Sequence, residues 1–219
     1  MESLINLDTD ILLFFNSLNA PLWDQFFWII TSKLVWIPLY ATILYAIIKE
    51  HGVRAIWTIL AIALVITLCD QIASSFFKPF FERLRPSRDP DLEGLLHLVN
   101  GYKGGKFGFI SSHAANSFGL AMFSTLLFKN RGYGLFIFAW AVVNSYSRIY
   151  LGVHYPGDIL VGALVGILAG WLVYWLYNRF INRMVTVIAI PNQHYETRSI
   201  IFTGILSILI IFLSAQTLI

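Results

Sequence analysis

Long runs of apolar residues alternate with short polar clusters along the chain. A helix that crosses a bilayer takes about 20 apolar residues, and runs near this length recur from residue 34 to the end of the chain. We predict transmembrane helices over Leu34–Ile48, Ala55–Phe77, His113–Phe128, Tyr133–Gly152, Gly157–Tyr177 and Ser199–Ile219. The pattern therefore predicts an all-α fold, a polytopic membrane bundle of about six transmembrane helices.

Two shorter stretches precede the first predicted span. Asp8–Leu18 and Pro21–Ser32 are amphipathic or aromatic and are separated by a break at residues 19–20. Each is shorter than the length of about 20 residues that a bilayer requires. Aromatic side chains such as Trp23 and Trp28 favour short N-terminal helices that lie in the membrane interface. One irregular span over both stretches is the alternative.

The composition is that of an integral membrane protein. Hydrophobic residues make up 58% of the 219 residues and charged residues 12%, against about 25% charged residues in an ordinary soluble domain. The formal net charge is +3 and no Lys/Arg-rich tail occurs, so nucleic acid is not expected as a partner. No internal repeat or linker interrupts the pattern, which favours a single domain over 1–219, with interfacial segments in 1–32 and reactive side chains in 78–158.

The polar clusters gather on one side of the predicted bundle. Counting crossings puts the ends of the second and fourth spans on the same side as the starts of the third and fifth. The opposite connections carry the basic residues Lys49, Arg54, Lys129, Arg131 and Arg179. By the positive-inside rule those connections are cytoplasmic. We therefore expect a protein of the bacterial cytoplasmic (inner) membrane whose polar clusters face the periplasm or exterior.

The polar hinge Ser147–Asp158 contains a cation, an imidazole and a carboxylate between two apolar runs. Charge is expensive in a membrane, which indicates a functional site. His154 and Asp158 are four residues apart and share one face if a helix begins near Pro156. The carboxylate then holds one ring nitrogen as N–H and leaves the other to attack or accept a proton. Arg148 offers a planar fork for phosphate oxygens. An interfacial arginine, a capping aspartate and an incidental histidine are the alternative.

A second polar cluster ends the second predicted span at Lys78, Arg85 and Pro86. Lys78 and Arg85 are seven residues apart, or about two helical turns, so we predict that they align on one helix face until Pro86 ends the helix. Two aligned cations beside a hydrocarbon wall are suited to binding phosphate. The alternative is that both side chains reach the lipid headgroups.

A third polar cluster, Ser111, Ser112 and His113, opens the third predicted span. Hydroxyls and backbone N–H groups at a helix N-terminus form an anion site. His113 is placed there to protonate a leaving oxygen and then to deprotonate water. Alternatively, Ser111 or Ser112 is only the N-cap and His113 an exposed interfacial residue.

The three clusters together form the motifs Lys78-x6-Arg85-Pro86, Ser111-Ser112-His113 and Ser147-Arg148-x5-His154-x3-Asp158. This set resembles the K-x6-R-P, P-S-G-H and S-R-x5-H-x3-D signature of the type 2 phosphatidic acid phosphatase (PAP2) superfamily. The motifs cover 78–158, and the flanking spans fit by architecture. Ile110 and Ser112 stand where the family pattern has Pro and Gly, whereas Ser111 and His113 are retained.

The resemblance implies metal-independent hydrolysis of a phosphoester or pyrophosphate through a phosphohistidine, with no cofactor. In that mechanism His154 is the nucleophile, Asp158 orients it, and His113 acts as general acid and then as general base. The phosphoryl oxygens would be held by Lys78, Arg85, Ser111, Ser112 and Arg148. Phosphoryl transfer depends mainly on positioning and charge stabilisation, which these groups supply.

A hydrophobic chain with a phosphate site at the outer interface argues for a lipid phosphate as substrate and membrane lipids as surroundings. We expect release of inorganic phosphate from undecaprenyl pyrophosphate, with phosphatidylglycerol phosphate, phosphatidic acid and lipid A phosphates as other substrates that fit. Two other classes stay open. One is a metal-dependent hydrolase with His113, His154 and Asp158 as ligands, and the other is a non-enzymatic lipid-phosphate carrier. The sequence leaves the oligomeric state open.

Overall fold

The computed structural model describes residues 2–184 and 195–219. The helices are α1 Glu2–Ser17, α2 Pro21–Ile30, α3 Ile37–His51, α4 Ala55–Gln71, α5 Lys78–Phe81, α6 Ser112–Phe128, α7 Arg131–Tyr150, α8 Pro156–Met184 and α9 Thr197–Thr217. The all-α prediction is confirmed for these residues. Residue 1 and residues 185–194 of the predicted single domain lie outside the described part, and the single domain stays a prediction.

The start of each central helix follows a local sequence signal. The Ser111 hydroxyl caps α6 by accepting from the backbone N–H of Ala114 at 3.4 Å. The Asn130 side chain caps α7 by accepting from the backbone N–H of Tyr133 at 2.9 Å. Pro156 opens α8 at a position where its missing N–H has no helical partner. The predicted third, fourth and fifth spans therefore begin within about two residues of α6, α7 and α8.

Within the described residues, three ranges are long and apolar enough to cross a membrane: Leu34–Phe81, Pro156–Phe180 and Thr197–Thr217. The first range contains both α3 and α4, joined by a 3-10 turn at Gly52–Arg54. Gly52 has a φ of +54°, a conformation that a residue without Cβ adopts readily. The predicted count of about six transmembrane helices is not confirmed, because α6 has 17 residues and α7 carries an arginine near each end.

The predicted alignment of Lys78 and Arg85 on one helix face is wrong. The helix ends at Phe81, because Glu82 takes a left-handed conformation with φ of +46° and closes it. Arg85 is extended, with φ −69° and ψ 151°, as expected for a residue before Pro86. The two cations therefore reach the site from different elements, one from a helix and the other from a loop.

Helices α6 and α8 form the most extensive helix–helix contact among the described residues. A Cβ added at Gly162 of α8 would lie 2.7 Å from the carbonyl oxygen of Ser111, and one at Gly166 would collide with the carbonyl oxygen of Ala115. Glycine lets helix backbones approach this closely in membrane proteins. The Ser111 N–H donates to the carbonyl oxygen of Asp158 at 3.1 Å. The N-terminal ends of α6 and α8 are therefore held together.

The two N-terminal stretches form separate helices, so the alternative of one irregular span does not describe them. Helix α1 begins at Glu2, six residues before the predicted start at Asp8. Helix α1 packs against α7 and α8, and α2 packs against α7 and α9. Their location at the membrane interface stays a prediction.

Large apolar side chains cover the outside of the bundle. Leu135, Leu160 and Phe202 are 77%, 71% and 68% exposed. Exposing large apolar side chains to water is unfavourable, whereas contact with lipid chains is not. Together with the apolar helices, this surface supports association with a membrane, as the composition predicts.

Candidate active site

The loop between α7 and α8 places His154 beside the first turn of α8. Its Nδ1 lies 3.1 Å from Oδ2 of Asp158, and both side chains are buried. The same oxygen accepts from the backbone N–H of Tyr155 at 3.1 Å. The predicted contact between His154 and Asp158 is therefore present, although His154 itself precedes the helix.

The second ring nitrogen of His154, Nε2, lies 3.0 Å from a terminal nitrogen of Arg85. A guanidinium can only donate, so Nε2 is the acceptor and carries a lone pair. The proton of the neutral ring therefore resides on Nδ1, where Asp158 accepts it. Burial, followed by the positive charges of Arg85, Arg148 and Lys78, lowers the pKa of His154 well below its ordinary value of 6.5.

Backbone contacts on both sides of Arg85 hold it in place. Its N–H donates to the carbonyl oxygen of Lys106 at 3.1 Å, and its side chain donates to the carbonyl oxygens of Phe107 and Val153, each at 3.2 Å. A Cβ at Gly108 would lie 3.2 Å from Cγ of Arg85. The glycine-rich loop thus closes over the guanidinium stem and fixes where the charge points.

Arg148 is a second buried cation at the site, with 4% of its surface exposed. One terminal nitrogen donates to the Thr31 hydroxyl at 2.7 Å and the other to the Tyr102 hydroxyl at 3.5 Å. Its Nε has no hydrogen-bond partner among the described residues. Buried donors are almost always paired, so this N–H is available to an anion.

Lys78 is the third cation, and it bonds to hydroxyl groups. Its Nζ donates to the Ser112 hydroxyl at 2.8 Å and to the Ser74 hydroxyl at 3.3 Å. Ser74 lies one turn before Lys78, on a π-helical stretch at Ile72–Phe77 that links α4 to α5. Lys78 and Ser112, each predicted to bind phosphoryl oxygens, are therefore brought together from two different helices.

Ser111 and His113 lie on either side of the first residue of α6. The Ser111 side chain is fully buried and its hydroxyl caps the helix, and its predicted contact with a phosphoryl oxygen stays a prediction. The Nε2 of His113 lies 3.3 Å from the carbonyl oxygen of Thr31. A carbonyl oxygen only accepts, so this nitrogen carries a proton. Thr31 therefore contacts both His113 and Arg148.

Charge at the site is unbalanced. Among the described residues, Lys78, Arg85 and Arg148 have no carboxylate within ion-pair distance, whereas Arg83 is paired with both Asp8 and Asp158. Three partly or fully buried cations without an ion-pair partner form an electrostatic site for an anion. In the same part of the chain, no group of three His, Cys, Asp or Glu side chains has the arrangement of a metal site.

A cavity of about 380 Å³ begins at Ser112 and His113 and extends into the bundle. Polar groups, including Thr31 and Asp70, surround its end near the histidine. Beyond them its walls are mostly apolar side chains from the turn before α3 and from α3, α4, α6 and α7, namely Trp36, Tyr40, Ile43, Leu44, Ile47, Ile59, Ile62, Ile66, Leu120 and Trp140. The candidate site therefore opens onto a hydrophobic space.

Four contacts of the site were not predicted from the sequence. Thr31 and Tyr102 bond Arg148, and Arg83 bonds both Asp158 and Asp8. Arg83 lies within the Lys78 to Arg85 motif, so its charge and its position were the features of the sequence that could have indicated a role in the site. The other three residues come from elements that only the tertiary fold brings to the site.

The PAP2 superfamily model matches residues 54–182, more than half of the chain and all of the predicted site residues. The chain therefore belongs to the PAP2 superfamily, and it is a membrane lipid phosphatase of that class.

Among known proteins, it is similar to the lipid A 4'-phosphatase of Bacteroides thetaiotaomicron, with 43% identity over 213 residues that cover 95% of each chain. It is also similar to the lipid A 4'-phosphatase of Porphyromonas gingivalis, with 39% identity over 163 residues, 74% of this chain and 69% of that protein. The crystal structure of Aquifex aeolicus LpxE aligns with a TM-score of 0.60 and 28% identity, covering 76% of this chain and 94% of that one.

Proposed function

We propose that this chain hydrolyses a phosphate monoester on a lipid A-type glycolipid through a phosphohistidine on His154. One observation carries the proposal: three cations without carboxylate partners surround an imidazole whose Nε2 lone pair is directed at one of them. An anionic group held by these cations would lie next to the nitrogen that attacks it. The same arrangement stabilises the charge on the equatorial oxygens during transfer.

In the first chemical step, Nε2 of His154 attacks phosphorus. A nitrogen–phosphorus bond forms while the bond from phosphorus to the lipid oxygen breaks, and that oxygen takes the Nδ1 proton of His113 in its imidazolium form. The Nε2 proton of His113 stays hydrogen-bonded to the carbonyl oxygen of Thr31. Asp158 keeps its hydrogen bond to Nδ1 and stabilises the positive charge that develops on the ring. The three cations hold the phosphoryl oxygens throughout.

In the second step, water releases the phosphoryl group. His113 takes a proton from the water as its oxygen attacks phosphorus, the nitrogen–phosphorus bond breaks, and inorganic phosphate leaves. The ring of His154 returns to its neutral form with a proton on Nδ1. Lys78, Arg85 and Arg148 serve both steps, since the charge on the phosphoryl oxygens is similar in each.

The substrate class rests on the relatives and on the cavity. Two relatives bear the name lipid A 4'-phosphatase, which favours a phosphate on the sugar of a lipid A-type molecule. The cavity beside His113 suits an apolar chain of such a substrate. Undecaprenyl pyrophosphate, the first choice from the sequence, has no specific support from these relatives and is kept as a comparison substrate.

The proposed substrate also bears on how the protein is oriented in the membrane. A lipid phosphate in the outer leaflet would enter a site at the external ends of α6 and α8, with the basic connections in the cytoplasm. We propose this orientation in a bacterial inner membrane.

The test is phosphate release by purified full-length protein in detergent with EDTA, with a panel of substrates. The panel contains lipid A bisphosphate, undecaprenyl pyrophosphate, phosphatidylglycerol phosphate and phosphatidic acid. We expect the highest kcat/KM for lipid A and loss of the 4'-phosphate, located by mass spectrometry of the product. A higher kcat/KM for undecaprenyl pyrophosphate would overturn the substrate assignment. Loss of activity in EDTA that zinc or magnesium restores would overturn the metal-independent mechanism.

A further inference from the structure

Asp158 uses its second oxygen for a contact outside the histidine pair. Its Oδ1 accepts from a terminal nitrogen of Arg83 at 3.2 Å. The other terminal nitrogen of Arg83 donates to Oδ2 of Asp8 at 2.8 Å. One guanidinium thus bridges a fully buried carboxylate and a carboxylate of the N-terminal helix α1.

Asp8 is also bonded to the start of α8. Its Oδ1 accepts from the backbone N–H of Gly157 at 2.7 Å. A Cβ at Gly157 would lie 2.8 Å from Oδ2 of Asp8, so a glycine is needed for this approach. A carboxylate at the first turn of a helix is also favoured by the helix dipole. Asp8 is therefore anchored to Gly157, the residue directly before Asp158.

Arg83 is held on its flat face as well. Its guanidinium carbon lies 3.8 Å from the centre of the Tyr155 ring, a stacking distance. The Tyr155 hydroxyl donates to Asp89 at 2.9 Å, which fixes the ring. The guanidinium of Arg83 is thus held by a carboxylate at each terminal nitrogen and by the Tyr155 ring against its face.

The physical requirement for Arg83 comes from Asp158. A carboxylate with no exposed surface is costly to ionise unless a positive charge or several donors compensate it. An arginine side chain that is 26% exposed has many rotamers, so holding it toward Asp158 needs a second anchor. Asp8 is that anchor, because it binds the half of the guanidinium that Asp158 does not use.

We propose that Asp8 and Arg83 are positioning residues for phosphohistidine formation, which keep Asp158 ionised and its Oδ2 directed at Nδ1 of His154. The inference rests on the function proposed above. It assigns to the N-terminal helix a part in catalysis in addition to any part in membrane contact.

Asp8→Asn is the first test, with Asp10→Asn as the matched control. Asparagine retains an oxygen for the Gly157 N–H but loses the charge that holds Arg83. In metal sites, residues that orient the metal-binding side chains contribute about 10–100-fold to activity, and Asp8 would orient a catalytic side chain in a comparable way. We expect a loss at the lower end of this range, about tenfold in kcat, with little change in KM. Asp10 is an exposed residue of the same helix, so its substitution should leave kcat unchanged.

The pH profile separates positioning from a purely structural role. The charged and titratable groups that face Asp158 are His154, Tyr155, Lys78, Arg83, Arg85 and, beyond Arg83, Asp8. With Arg83 released, the Asp158 anion is less well stabilised and takes a proton more readily. The acid limb of kcat/KM should therefore move to higher pH in Asp8→Asn and stay in place in Asp10→Asn.

Arg83→Gln provides a second, independent variant. If the two residues act as a unit, the double variant Asp8→Asn/Arg83→Gln has the kcat of Arg83→Gln alone. Arg83→Lys should recover part of the loss, because it keeps the charge without the fork. The inference would be overturned if the kcat losses of the two single variants multiplied in the double variant, or if the acid limb of kcat/KM did not move in folded Asp8→Asn. In either case an active wild-type protein would leave the proposed function intact. A wild type that is inactive on every lipid of the panel would overturn the proposed function, and with it this inference.

Discussion

Arg85 donates to Nε2 of His154 at 3.0 Å, so the cation proposed to hold the phosphoryl oxygens bonds the nitrogen proposed to attack them. Entry of a phosphate between the two groups requires only that the guanidinium exchange one acceptor for another. Its bonds to the carbonyl oxygens of Phe107 and Val153 restrict how far it can move. Substrate binding and exposure of the nucleophile are therefore coupled through one side chain.

Arg85→Lys should lower kcat by about 10²–10³, the effect of losing one donor that stabilises developing charge. Lysine keeps the positive charge but cannot bond two carbonyl oxygens and a phosphoryl oxygen at once. Phosphate release from the preferred lipid measures the loss. Arg88→Lys is the matched control, since Arg88 is exposed in the same loop and bonds the carbonyl oxygen of Gly104. Equal activity in both variants would contradict the role of Arg85.

His154 should stay neutral in mildly acidic solution. Its pKa in the folded protein lies well below 6.5 because of burial and the nearby cations. At this side chain the unfolded state therefore binds more protons near pH 6 than the folded state does, and the contribution of His154 to the free energy of unfolding should fall on acidification below about 6.5. Nitrogen NMR of labelled histidine, assigned with His154→Gln, should find the Nδ1-protonated neutral ring at pH 6. A titration midpoint at or above 6.5 would be inconsistent with this site.

The cavity beside His113 should discriminate substrates by chain length. Ile62→Trp fills an apolar wall of the cavity, whereas Leu64→Trp adds the same bulk to a side chain of α4 that is 45% exposed on the outside. Overpacking costs about 1–3 kcal/mol, so Ile62→Trp should lower kcat/KM for long-chain lipid phosphates by about tenfold. Short-chain analogues should be hydrolysed normally by both variants. Equal losses for long and short chains would show that no chain enters the cavity.

Most of the site could be predicted from the spacing of residues along the chain. The contact between His154 and Asp158 follows from a four-residue interval next to Pro156, and the cap at Ser111 follows from its place before α6. These features depend on neighbours in the chain, so a single sequence is enough to find them. The all-α fold follows in the same way from the long apolar runs.

Features that depend on tertiary contacts or on one unusual backbone conformation were not predictable. Lys78 and Arg85 fit a helical interval, but the left-handed conformation of Glu82 ends the helix between them. Nothing in the sequence near Asp8 or Thr31 indicates that they meet Arg83 and Arg148. Those contacts arise when α1 and α2 pack against the bundle.

The covalent intermediate proposed on Nε2 of His154 can be trapped by rapid-quench labelling. Full-length protein would be mixed with lipid substrate labelled with ³²P, quenched in alkali within milliseconds, digested and mapped by mass spectrometry. A phosphoryl group on His154 should give an alkali-stable, acid-labile label on the peptide that contains this residue, and the label should be absent from a folded His154→Ala variant that still binds the lipid. Phosphate release without label on His154, or label on another residue, would contradict it.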